Sequence, residues 1–279
     1  MMRAMFAAIS GLKAHQVMLD VTANDIANVN TLGYKGSRMT FRDELAQLQR
    51  GGAAPGAGQG GTNAEQIGLG ATVGSVDNNM TGGALQTTGN PLDVAISGSG
   101  WFRVGNSTAP AVPTTVEYTR AGNFTTNDAG YLTTQDGEYV IGRAPAAGGG
   151  PSTTDALIQI PPGSSNVSVG QDGSVSYIPP GGGVKTVAGY LSLAKFANEG
   201  ALERQGTNLW LAGADTGAEQ VSTPGGTYGA TVGGAIEMSN VDLSAEFTSM
   251  ITAERGFEAN SRTITTADEM LQTLVNLIH

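Results

Sequence analysis

Residues 243–278 read LSAEFTSMITAERGFEANSRTITTADEMLQTLVNLI, and every seventh residue of this stretch is apolar. The series consists of Leu243, Met250, Phe257, Ile264, Leu271 and Ile278. A sustained seven-residue apolar repeat is typical of a long amphipathic helix that packs against a partner helix. Asp242 or Ser244 can cap its first turn, and no proline interrupts it. The stretch therefore predicts a single helix roughly 54 Å long.

The beginning of the chain carries a second apolar stripe at helical spacing. Its members are Met2, Met5, Ile9, Leu12, Leu19 and Ile26. Asn28, Asn30 and Gly33 then follow as signals that end a helix. We expect residues 1–30 and 242–279 to form two long helices that pair in a coiled-coil-like domain. The alternative is that both are ordinary core helices of one globule.

Residues 75–241 follow a different pattern, with short runs rich in Val, Thr, Ile, Tyr and Phe. Examples are residues 92–96, 101–104, 167–169 and 189–193. Turn-forming residues separate the runs, notably at 127–130, 136–137 and 172–173. Because no helical periodicity alternates with these runs, they predict a mainly antiparallel β domain. The whole chain is then α+β.

Residues 31–74 are predicted to connect the helices with the β domain. Within them, residues 51–61 read GGAAPGAGQGG, a composition too poor in large apolar side chains to pack a core. Such glycine-rich segments behave as flexible chains. We expect a flexible loop here, and we hypothesise that it sets how stiff the connection is.

Composition excludes several classes of protein. The chain of 279 residues has 14 Lys+Arg against 24 Asp+Glu, a net charge of −10, with no cysteine and two histidines. The absence of cysteine excludes disulfides and thiolate metal sites, and scarce histidine disfavours most acid–base enzymes. The acidic pI of about 4.6 argues against nucleic acid as a partner. No apolar run approaches the roughly 20 residues of a membrane span, so no membrane insertion is expected.

One group of acidic residues imitates an enzyme site. Asp128, Asp136 and Glu138 lie close in sequence and could imitate the paired carboxylates of a hydrolase. Asp128 and Asp136, however, occupy turn positions, where aspartate is favoured for structural reasons. We therefore predict no catalytic, cofactor-binding or metal-binding residues, and no cofactor.

Motifs along almost the whole chain resemble the rod and hook proteins of the bacterial flagellar axis. The N-terminal motif of that family is matched by Asn24, Ile26, Ala27, Asn28, Gly33 and Lys35, within ANDIANVNT (residues 23–31) and GYK (residues 33–35). Asp25 stands where the family usually has asparagine. Residues 88–102 and 118–132 resemble the internal motifs of the family, and residues 238–277 resemble its terminal helix.

The resemblance implies a structural subunit that polymerises with copies of itself, not an enzyme. Its terminal helices would form the inner tube of the polymer, and its β domain would lie outside. It also implies export through the flagellar type III apparatus and a location in the hook or basal body, extracellular after export. Adjacent rod proteins, hook–filament junction proteins and the hook cap are the implied partners.

Within the family, residues 11–16, 61–70 and 271–277 are most similar to the compact form of the hook protein. We therefore predict a hook subunit, part of a flexible joint that transmits motor torque to the filament. The alternative is the distal rod protein, a rigid drive shaft of the basal body.

The side chains expected to pack copies together are the large apolar residues of both helices. They are Met5, Ile9, Leu12, Leu19, Ile26, Leu243, Phe247, Met250, Phe257, Ile264, Leu271, Leu274 and Ile278. Two other classes of protein remain as alternatives. A secreted adhesin would share the Gly/Thr-rich β region but would not need matched helical ends. A carboxylate hydrolase would depend on Asp136 or Glu138.

Overall fold

A computed structural model describes residues 2–56, 60–107, 111–146 and 150–278. It contains terminal helices and a central set of antiparallel strands, which confirms the predicted α+β class. The chain divides into two compact units. Unit 1 comprises the residues up to Ala27, Ser37–Asn78 and the residues from Asp242 onward. Unit 2 comprises Asn28–Gly36 and Asn79–Val241.

Unit 1 is built on two antiparallel helices, α1 (Met2–Ala27) and α2 (Leu243–Ile278). Their direction follows from their contacts, because Gly11 lies against Asn260 while His15 lies against Gly256. The predicted cap is confirmed at Asp242, whose Oδ1 accepts a hydrogen bond from the Ser244 amide at 2.9 Å.

Unit 1 also contains two pairs of strands that the sequence pattern does not predict. They are β1 (Ser37–Asp43), β2 (Ala46–Arg50), β3 (Glu65–Gly68) and β4 (Ala71–Asn78), with β1 paired to β4 and β2 to β3. Every residue of β2 and β3 is exposed, so these strands lack the alternation of buried and exposed side chains that identifies a strand. Part of the expected loop at residues 51–61 extends this pairing, since Ala53 bridges Thr62. Residues 57–59 of that loop lie outside the described part.

Unit 2 contains the remaining strands of the described chain. They are β5 (Leu85–Thr87), β6 (Val94–Ser97), β7 (Trp101–Gly105), β8 (Glu117–Thr119), β9 (Thr125–Thr126), β10 (Leu132–Thr133), β11 (Tyr139–Pro145), β12 (Pro151–Leu157), β13 (Ser165–Val169), β14 (Ser174–Ile178), β15 (Thr186–Leu191), β16 (Leu193–Lys195), β17 (Glu203–Gly206), β18 (Leu209–Leu211), β19 (Gln220–Ser222), β20 (Ala230–Gly233) and β21 (Ala235–Glu237). The largest sheet runs β13-β14-β15-β11-β7-β8-β18-β17, and smaller pairs join β5 to β21 and β6 to β20. The predicted turns are confirmed at Gly130, Gly137 and Gly173, which have positive φ angles.

The core of unit 2 lies on both faces of β7, where every residue is buried. Successive side chains of a strand point to opposite faces. Phe102 packs on one face against Phe124, with ring centroids 5.1 Å apart. Trp101 packs on the other face against Trp210, with ring centroids 5.6 Å apart. β7 thus joins two apolar clusters into one unit.

Candidate assembly surface

Apart from Thr22 and Asp25 of α1, the buried side chains in the described parts of the two helices are all alanines. Ala253 and Ala267 of α2, together with Ala8 and Ala14 of α1, are all at most 4% exposed. Small residues let two helix backbones approach closely. The two helices therefore meet along a narrow surface, which we call the small-residue seam.

Two glycines show how tight the small-residue seam is. A Cβ atom added at Gly11 would lie 2.9 Å from the Asn260 amide nitrogen, and one added at Gly256 would lie 2.5 Å from the His15 ring. The His15 ring also lies 5.1 Å from the ring of Phe41 in β1. There is consequently little free space for larger side chains at these positions.

The large apolar residues predicted to pack copies together lie beside this seam or away from it. The half-buried members are Met5, Leu12, Leu19, Ile26, Met250, Phe257, Ile264 and Leu271. The exposed members are Ile9, Leu243, Phe247 and Leu274. The side chain of Ile278 is outside the described part. Pairing of α1 with α2 within one chain thus leaves much of the apolar surface uncovered.

Further exposed apolar side chains on the helices were not among the predicted residues. They are Met2, Phe6, Ile251, Met270, Val275 and Leu277, each more than half exposed. Because Gly11 lies against Asn260 and His15 against Gly256, the start of α1 is level with about residue 269, so the last turns of α2 extend past it. Near the end of α2, Met270, Leu274 and Leu277 line one groove, and exposed apolar surface of this kind is typical of interaction sites.

The strand pairs of unit 1 expose apolar residues as well. Leu45, Leu48, Ile67 and Leu69 are all more than a third exposed. Leu69 also lines a groove of unit 1 together with Phe6 of α1. The apolar surface of unit 1 therefore includes both its helices and its strands.

The N-terminal motif continues from the end of α1 into unit 2. Asn24, Ile26 and Ala27 belong to the last turns of α1, and Asn28 accepts a hydrogen bond from the Thr31 hydroxyl at 3.0 Å. Gly33 has a φ of 65°, and a Cβ atom there would lie 2.6 Å from the Ala121 amide nitrogen. Only glycine fits this position without displacing backbone.

Lys35 of the same motif is fully buried in an ion cluster. Its Nζ donates hydrogen bonds to Glu237 Oε1 at 2.6 Å and to the Thr81 carbonyl at 2.9 Å. The other carboxylate oxygen of Glu237 accepts from Arg120 at 3.2 Å, and the Arg120 guanidinium lies over the Trp101 ring. Burial lowers the pKa of the Lys35 amine, while the Glu237 carboxylate opposes that shift. We call Lys35, Arg120 and Glu237 the ion cluster.

The acidic residues that imitate an enzyme site lie at turns. Asp128 belongs to the turn before Gly130, and Asp136 to the turn before β11, so the turn interpretation is confirmed for both. Burial, with Glu117 and Asp136 nearby, raises the pKa of Glu138 to about 7. Within the described ranges, no group of three or more His, Asp or Glu residues is arranged to hold a metal ion. No helix in the described ranges is long and apolar enough to cross a membrane.

Comparison with known proteins identifies the family. Three family models match: "Flagella basal body rod protein" at residues 5–35, "Flagellar hook protein FlgE/F/G D1 domain" at 95–177 and "Flagellar basal body rod FlgEFG protein C-terminal" at 232–277. The flagellar basal-body rod protein FlgG of Bacillus subtilis is 44% identical over 279 residues, 99% of both chains. The chain belongs to the flagellar rod and hook family. This is a family of structural proteins of the flagellar axis, as the motifs predict.

The same comparison favours the rod over the hook. The rod protein FlgG of Caulobacter vibrioides is 37% identical over 99% of both chains. The hook protein FlgE of Borreliella burgdorferi is 24% identical, over an alignment of 446 residues. The similarity supports the alternative, a rod protein, better than the predicted hook subunit. Residues 11–16 and 271–277, which were used for the hook prediction, lie within family models that are named for rod proteins, so these motifs do not favour the hook over the rod.

Proposed function

We propose that this chain is the distal rod subunit of the flagellar basal body, a self-assembling part of the rigid drive shaft. The observation that carries the proposal is the 44% identity to a rod protein FlgG over 99% of both chains. A rod subunit must bind neighbouring copies through a large surface, and unit 1 exposes apolar side chains on both of its helices.

Assembly would use the surface that pairing of α1 with α2 leaves uncovered. Phe247 and Ile251 of α2 are about half exposed, and Leu277 near its end is 77% exposed. Covering such side chains stabilises association by about 25 cal/mol for each Å² of apolar area removed from water. We infer that helices of neighbouring copies pack on these residues, in coiled-coil fashion, to form the inner tube.

The strand pairs of unit 1 offer a second surface to neighbours. β2 and β3 are exposed along their whole length and carry Leu48 and Ile67. A two-stranded pair without further support is only marginally stable in water. We infer that neighbouring copies cover it in the rod, and that its length influences the stiffness of the shaft.

The family also suggests how the subunit reaches its place. We infer export as an unfolded chain through the flagellar type III apparatus, followed by folding at the growing rod outside the cytoplasm. Other rod proteins and the hook proteins would then be its neighbours in the axis. The cysteine-free sequence is compatible with such a route, because no thiol has to be kept reduced.

Deletion of the gene, followed by electron microscopy of isolated basal bodies, tests the proposed function. The expected result is rods that stop short and carry no hook, with full-length rods restored by the wild-type gene. Complete rods without hooks would instead make the chain a hook subunit. Normal flagella in the deletion strain would contradict both assignments.

A further inference from the structure

The chain crosses between the two units four times. It enters unit 2 after Ala27, leaves it after Gly36, returns after Asn78 and leaves again after Val241. Three segments of unit 2 therefore lie next to crossings: residues 28–36, the segment that begins at Asn79, and the segment that ends at residue 241. Every covalent connection between the units leaves unit 2 from one of these segments.

The side chain of Asn240 connects all three segments. Its Oδ1 accepts a hydrogen bond from the Gly36 amide at 2.8 Å, and its Nδ2 donates to the Asn79 carbonyl at 2.8 Å. The Asn79 amide in turn donates to the Gly36 carbonyl at 2.7 Å. These bonds form a closed set, with one side chain holding two neighbouring backbone segments.

Glu237 connects the same three segments a second time. Its carboxylate accepts from the Lys35 ammonium at 2.6 Å and from the Gly83 amide at 2.9 Å. Its backbone carbonyl accepts from the Gly33 amide at 2.8 Å. Both Lys35 and Glu237 are at most 1% exposed, so these charge-assisted bonds are shielded from water.

We propose that Asn240 and Glu237 form a clamp that joins the three segments of unit 2 next to the chain crossings and carries mechanical load. The load-carrying part rests on the proposed function, since a drive shaft transmits torque. A force on one of these segments is shared among several hydrogen bonds, so more than one bond must break before the segment is released. A Glu237 carboxylate pulled from this site would also leave two buried cations, Lys35 and Arg120, without an anion.

Hydrogen exchange on the purified full-length chain tests the clamp independently of the proposed function. The Met238 amide, next to Glu237, donates to the Ala84 carbonyl at 2.9 Å. In Asn240→Ala, we expect the Gly36, Asn79, Gly83 and Met238 amides to exchange about tenfold faster, as a group. Faster exchange of the Gly36 amide alone would overturn the shared anchor. It would show that the substitution affects only the amide that donates directly to Asn240.

A matched control and a second variant complete this experiment. Asn198→Ala removes an exposed asparagine that donates to the Asp215 carbonyl at 3.2 Å, and should leave the four amides unchanged. Glu237→Gln should accelerate the same group more strongly than Asn240→Ala does. Slower or unchanged exchange in Glu237→Gln would overturn the role of the carboxylate.

The mechanical part is tested in cells that produce Asn240→Ala as their only copy. We expect rods of normal length by electron microscopy, with swimming that fails in viscous medium at lower load than in wild type or Asn198→Ala. Unimpaired swimming at every viscosity would overturn the load-carrying role. Failure of the proposed function is distinguishable, because it would show as complete rods in the deletion strain, while the exchange result on the purified chain would stand.

Discussion

Unit 1 and unit 2 distribute their large apolar side chains in opposite ways. In unit 2, Trp101 and Phe102 are fully buried between strands of the same chain. In unit 1, Phe6 is 63% exposed and Phe247 is 50% exposed, while the alanines of the small-residue seam are at most 4% exposed. The difference indicates that unit 2 has a finished core in a single chain, and it supports the proposal that neighbouring copies cover the apolar surface of unit 1.

A long pair of helices cannot bury all of its apolar side chains by itself. One partner helix covers only one face of a helix, so the remaining apolar stripes of α2 stay in water unless further helices pack on them. The two regions should therefore respond differently to substitution. Changes in unit 2 should alter the stability of the monomer, and changes on the outer helix faces should alter assembly.

The largest expected effect on the monomer is that of Phe102→Ala. Loss of a fully buried aromatic ring should lower the free energy of unfolding by about 3–5 kcal/mol. Denaturant unfolding followed by tryptophan fluorescence measures this directly, because both tryptophans, Trp101 and Trp210, lie in unit 2.

Phe247→Ala provides the matched change in unit 1. Since the ring is half exposed, the free energy of unfolding, measured by helical circular dichroism, should stay within about 0.5 kcal/mol of the wild-type value. The same variant should assemble fewer or shorter rods in cells. A large loss of monomer stability, or normal rods, would break the comparison between the units.

Gly256→Ala should have an intermediate effect, on the small-residue seam. The added methyl group would lie 2.5 Å from the His15 ring, so either the ring or the helix backbone must shift to admit it. We expect a loss of about 1 kcal/mol, because the better helix propensity of alanine offsets part of the steric cost. Thermal unfolding followed by helical circular dichroism gives the value.

His15→Ala serves as the background that isolates this contact. Without the ring, the same Gly256→Ala change should become neutral or stabilising, since only the helix propensity term remains. If Gly256→Ala lowers the free energy of unfolding equally in wild type and in His15→Ala, the His15 ring does not limit the space at Gly256.

A further expected effect is a pH dependence in unit 2. The pKa of Glu138 is raised from 4.5 to about 7, so the folded unit holds this proton more tightly than the unfolded chain. Its contribution to stability is therefore greatest at low pH and decreases as the pH rises from about 4.5 towards 7. At pH 8, Glu138→Gln should unfold at a higher denaturant concentration than wild type. At pH 4, it should show no such gain in stability.

The long helices and several turns could be predicted because short stretches of sequence determine them. The seven-residue repeat of α2, its cap at Asp242 and the glycine turns of unit 2 each depend on residues close together in sequence. The face on which α1 and α2 meet could not be predicted from the same repeat. The large apolar residues dominate the pattern, while Ala253 and Gly256, which permit the close approach, carry almost no hydrophobic signal.

The ion cluster could not be predicted, because it joins residues that are far apart in sequence. Lys35 belongs to a recognisable motif, but its partner Glu237 lies 202 residues further along the chain. No local pattern marks that glutamate, and only the folded topology brings the two together. β2 and β3 were missed for another reason, since a strand exposed on both faces has no hydrophobic alternation.

Cysteine labelling of assembled rods tests the central claim most directly. The chain contains no cysteine, so Phe247→Cys introduces a single thiol, and Val184→Cys, at an 85% exposed position of unit 2, reports whether the reagent reaches the rod. The account predicts that Cys at position 247 reacts rapidly with a maleimide in the purified monomer and much more slowly in isolated rods. Equal reaction rates in monomer and rod would show that neighbouring copies do not cover this helix face, and would contradict the account.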